Sequence, residues 1–193
     1  MLFSIGAFGT NEASSWYIQP KIGVNAARIT HFFDKTEPRT GLVAAVDFEY
    51  RANDWFSFSA GPTYSEQGTR TETLGALSKI TIRTDYLCVP MLANFYVTKG
   101  FALKFGLQPG FLLSSTYKEY VRAQRINLTS RLSDAGIPVK TFDLAFPIGA
   151  ALVIENLVIE GRYNLGLTNP SDHFPEESRN EVFQITVGYK FRL

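Results

Sequence analysis

Nine charged residues sit inside stretches that are otherwise apolar: Lys21, Arg51, Lys104, Arg162 and Lys190, against Asp47, Glu49, Asp143 and Glu160. Opposite charges so placed predict an enclosed ionic network, because an unpaired buried charge is very costly. Catalytic chemistry has less to work with. The sequence holds no phosphate-binding glycine loop, metal-ligand cluster or serine-nucleophile motif, so no metal or other cofactor is expected. His31 lies near Asp34, and His173 near Ser171 and Asp172. His173 with Ser171 is a formal candidate for a hydrolytic site, although two histidines without spaced partners are more simply surface residues. A second basic set, Lys118, Arg122, Arg125 and Arg131, falls with Lys140 in the longest polar stretch, against Glu119 and Asp134. Near anionic lipid such a stretch could hold phosphate through charge-assisted bonds; a solvated loop is the plainer alternative.

The elements that must position these residues read as strands. From Trp16 onward apolar and polar residues alternate between turn signals, giving eight segments over 16–29, 41–51, 55–67, 81–97, 101–117, 141–154, 157–168 and 181–193. Most match the roughly 9–11 residues that a tilted strand needs to cross hydrocarbon. Tight turns at 52–54, 98–100 and 155–156 alternate with long connections over 30–40, 68–80, 118–140 and 169–180. In an up-and-down barrel this sends every long loop to one end, which is the asymmetry of outer-membrane barrels. A Greek-key sandwich has no reason to produce it. The expected fold is therefore an all-β, eight-stranded antiparallel transmembrane barrel with short periplasmic turns and long extracellular loops, over residues 14–193. Residues 1–13 read as the remnant of a signal peptide or, alternatively, as a native first strand or tail.

Composition agrees. The 193 residues are 45% hydrophobic and 19% charged with net charge +1, which excludes disorder and argues against a dedicated nucleic-acid binder. A mean hydropathy of −0.03 suits strands of alternating polarity. One cysteine, Cys88, cannot form an internal disulfide.

Strict alternation does not itself say which face is inside. One face carries Phe105, Phe111, Ile159, Phe183, Ile185 and Val187, while the other carries the nine charges. An eight-stranded barrel has room inside only for side chains, so the bulky face is expected outside against lipid. Aromatic girdles are expected at Trp16, Tyr50, Trp55, Phe56, Phe95, Phe101, Tyr189 and Phe191 near the short turns. The opposite girdle would comprise Tyr64, Tyr86, Tyr117, Phe142 and Phe183. Pro20, Pro62, Pro90, Pro109 and Pro147 interrupt this pattern, and bulges or carbonyls turned to the lumen are expected there.

Several segments carry a family resemblance. They are Pro38-Arg39-Thr40-Gly41, residues 50–56 (YRANDWF), 64–68 (YSEQG), 86–92 (YLCVPML), 95–100 (FYVTKG), 162–168 (RYNLGLT) and the closing 183–191. Together they resemble the PorT-like outer-membrane β-barrel proteins over nearly the whole chain after Ala13. The resemblance implies an outer-membrane barrel of about eight strands, made with a signal peptide and inserted through its C-terminal aromatic strand; it implies no defined activity. Cys88 departs from the acidic or polar residue expected before Val89-Pro90, and two residues follow Phe191. The expected function is a monomeric envelope barrel with a filled lumen, in contact with outer-membrane lipid, structural or recognitional and neither a pore nor an enzyme. Rival readings are a lipid-modifying enzyme at the rim and a soluble lipocalin-like binder.

Overall fold

A computed structural model describes residues 14–30, 36–73, 78–121, 126–131, 139–173 and 175–193. Its strands are β1 (Ser15–Ile29), β2 (Thr36–Arg51), β3 (Phe56–Ala60), β4 (Thr63–Thr73), β5 (Ser78–Cys88) and β6 (Met91–Thr98). They continue with β7 (Phe101–Val121), β8 (Ile126–Arg131), β9 (Phe142–Ile154), β10 (Leu157–Gly166), β11 (Asn180–Tyr189) and β12 (Phe191–Arg192). All pairings are antiparallel, and β1 pairs with both β2 and β11, which closes the sheet into a ring of eight staves. Two staves are each made of two strands: β3 with β4, and β6 with β5. The register between them is the same on both sides of the Gly61-Pro62 and Val89-Pro90 breaks, so the count of eight survives.

The prolines behave differently from expectation. Pro20, Pro62 and Pro109 fall along one circumferential row, separated by Val46 and Val89. Pro20 pairs with Val46, the Val46 N–H donates to the Pro62 carbonyl, and the Val89 N–H donates to the Pro109 carbonyl. Each ring thus sits where a neighbouring ladder already breaks, and the missing N–H leaves little unpaired. Pro20 likewise lies beside the gap between β11 and β12, where the Lys190 N–H turns to the Asn156 carbonyl.

Outward positions form the apolar belt. On β1 they run from Trp16 through Ile22 and Val24 to Ala26, and on β12 and β11 from Phe191 back to Phe183, most of them 44–66% exposed. Ten residues along β1 is about 33 Å of strand, or about 23 Å of height at a 45° tilt, close to the hydrocarbon span of such barrels. Phe105, Ile159 and Val187 face out, whereas Glu49 and Arg162 are 2% and 1% exposed. The lipocalin-like arrangement, with its apolar face inside, is not the one this chain adopts.

Four sequence expectations need correction. Tyr86 is 1% exposed and points into the lumen, so it takes no part in the outer girdle. Residues 30–40, 68–80 and 118–140 are not simply loops: β2 begins at Thr36, β4 and β5 pair as far as Thr73↔Ser78, and β7 continues to Val121 beside β8. Lys118 and Arg131 therefore stand on strands, while Arg122 and Arg125, with His31 and residues 1–13, lie outside the described residues. These extensions are rich in threonine and charged residues, so hydrophobic alternation fades and they resemble loops in sequence.

Candidate functional site

Three polar layers fill the lumen. Nearest the short turns, Glu49 accepts hydrogen bonds from Gln19, the Ser57 and Tyr96 hydroxyls (both 2.6 Å) and Lys190 (3.0 Å). Arg51 donates to the Asn53 carbonyl at 3.0 Å and lies 3.6 Å from the Tyr96 ring centre; the Lys190 ammonium lies 4.2 Å from that of Tyr17. Register explains the meeting: β1 and β2 set Tyr17 opposite Glu49 and Gln19 opposite Asp47, all on the inward phase.

In the middle layer Lys21 joins Asp47 and Glu160, the latter at 3.1 Å. Glu160 also pairs with Lys104 at 2.6 Å and Arg162 at 3.6 Å. All five side chains are at least 95% buried. Gly188 lies opposite Lys21, and a Cβ there would come within 2.4 Å of Lys21 Cγ and 2.6 Å of the Pro20 carbonyl. The missing side chain is thus what lets Lys21 cross to its two acids.

Asp143 stands apart in the third layer. It accepts from the Thr168 hydroxyl and from Asn180 at 2.9 Å, and it makes no ion pair among the described residues. Beside it is a cavity of about 10 Å³ lined by Gln108, Asn164 and Asn180, large enough for about one water. Beyond it the inward positions turn apolar, with Ala27, Ile29, Val43, Ile82 and Val182 buried.

All nine charged residues singled out in the sequence thus lie in the lumen, eight in ion pairs or cation–π and carbonyl contacts and Asp143 among neutral donors. Sequence reasoning missed their neutral partners Gln19, Ser57, Tyr96 and Asn180. Their signal was present, since each shares the inward phase of its strand. Ser171 is fully buried, and its hydroxyl accepts the His173 backbone N–H at 3.2 Å, closing a local loop. Among the described residues no group of three or more His, Cys, Asp or Glu could hold a metal.

With this closed, outward-apolar ring in view, a family model described as "Outer membrane protein beta-barrel domain" matches residues 8–172. The chain belongs to that family. Its barrel is similar to the crystal structure of Ail, the attachment invasion locus protein of Yersinia pestis, at 16% identity and TM-score 0.55, covering 93% of this chain and 99% of that one. Neisserial surface protein A is similar at 13% identity and TM-score 0.51, covering 91% and 97%. No curated protein sequence matches the chain. The barrel is an outer-membrane protein, and the apolar belt is its lipid-facing surface.

Proposed function

We propose that the barrel is a closed, non-conducting, non-enzymatic envelope protein that works through its extracellular rim, as a structural or recognition element of the PorT-like branch made with a signal peptide. The observation that carries this reading is the lumen. Its middle layer converges on one carboxylate, Glu160, from three strands, and side chains meet across the tube with room for little more than a single water in the cavity beside Asp143. A solute-conducting pore needs a continuous aqueous path, and breaking these pairs would strand buried charge. The rim offers no better case for catalysis, because Ser171 Oγ is buried and used by the loop.

Planar-bilayer recording tests the reading. The purified barrel should give no stable conductance steps, and long-lived large channels would refute the closed lumen.

A further inference from the structure

The small cavity in the third lumen layer is walled largely by groups that accept hydrogen bonds. Asp143 reaches it from β9, Gln108 from β7 and Asn164 from β10. Gln108 and Asn164 are at least 95% buried, and neither Gln108 Oε1 nor Asn164 Oδ1 has a hydrogen-bond partner among the described residues. Asp143 adds a carboxylate that no Lys or Arg meets among those residues. Two amides on the same wall are already committed, Asn180 Nδ2 to Asp143 at 2.9 Å and Gln67 Nε2 to Ser65 Oγ at 3.3 Å.

A buried amide oxygen without a donor is costly, and a buried carboxylate without a counter-charge is costlier. One water could donate to both amide oxygens and would leave the Asp143 charge uncompensated. A cation answers all three groups at once. The cavity of about 10 Å³ admits one particle the size of a water. Oxygen donors alone, with no imidazole among them, select a hard cation. A single carboxylate is matched by a single positive charge, and Arg162, the next inward residue along β10, weighs against a divalent ion.

We propose that this cavity binds a monovalent hard cation, sodium, through Asp143 and the amide oxygens of Gln108 and Asn164. The ion ties β7, β9 and β10 together at the end of the polar lumen away from the short turns. The site holds whether or not the rim takes part in recognition.

The test is urea unfolding of the full chain in phospholipid vesicles, with sodium chloride exchanged for choline chloride at constant ionic strength. For a site with a Kd of about 10 mM, raising sodium from about 1 to about 100 mM should shift the equilibrium about tenfold toward the folded barrel. Gln108→Leu and Asn164→Leu should lose this response, and a heat-modifiable gel shift verifies that they fold. Sodium-23 NMR of the wild-type protein reads binding without either variant, as line broadening that saturates over the same range. Equal stability in sodium and choline, or broadening that does not saturate, assigns the cavity to a water only and overturns the proposal. A sodium response that survives both substitutions overturns it as well, and a larger shift from equimolar calcium overturns the monovalent assignment.

Discussion

Replacing Glu160 by Gln removes the acid on which three buried cations converge. Lys104 is 2.6 Å away, Lys21 3.1 Å and Arg162 3.6 Å, all in side chains at least 95% buried. In the variant Asp47 alone would face Lys21, Lys104 and Arg162 in that layer. Removing one partner from a buried pair costs about 3–5 kcal/mol, chiefly through the charge left behind. That corresponds to a change of about two to three and a half decades in the unfolding equilibrium. The assay is urea unfolding of the barrel refolded in phospholipid vesicles, followed by gel mobility and by the fluorescence of Trp16 and Trp55. Glu181→Gln is the control, because Arg28 in its 2.6 Å pair is half exposed and such pairs contribute about 0.2–1 kcal/mol. Adding Lys104→Met to Glu160→Gln should recover part of the loss by removing an unpaired charge. The reasoning fails if Glu160→Gln and Glu181→Gln destabilise equally.

Other expectations can be checked on the same preparation. Val187→Arg places a charge in the lipid belt and should cost about 2–4 kcal/mol in vesicle unfolding, whereas Thr40→Arg, near the upper edge, should cost less than about 1 kcal/mol. Gly188→Ala should destabilise the barrel by disturbing the Lys21 crossing, and lose only part of that effect in a Lys21→Ala background, because the Pro20 carbonyl still meets the added Cβ. Cys88 is 2% exposed, so a maleimide should leave it unmodified in the folded barrel and label it fully in urea; rapid labelling of the folded protein would contradict a closed lumen.

Much of this architecture was legible because a small barrel imposes one rule through the lipid belt: runs of bulky apolar residues face out and the charges face in. That rule exposes the phase of Lys21, Glu160 and Lys190 directly. It fails where the chain breaks its own period. The slip at Leu113–Ser114 turns Lys118 outward, and nothing in the local sequence marks it. Tyr86 looked like a girdle residue because aromatics suit both a lipid interface and a filled lumen, yet it shares the inward phase of Thr84 and Cys88. The proline row was illegible for another reason, since each proline is tolerated only because of its neighbour's register, a long-range property.

The central claim is orientation, and a photoactivatable acyl-chain probe reads it on the unmodified protein. After irradiation in vesicles, peptide mapping should find adducts at outward positions such as Phe105, Ile159 and Val187, with Glu49, Glu160 and Arg162 untouched. Adducts on the charged residues, with those three apolar side chains protected, would contradict it.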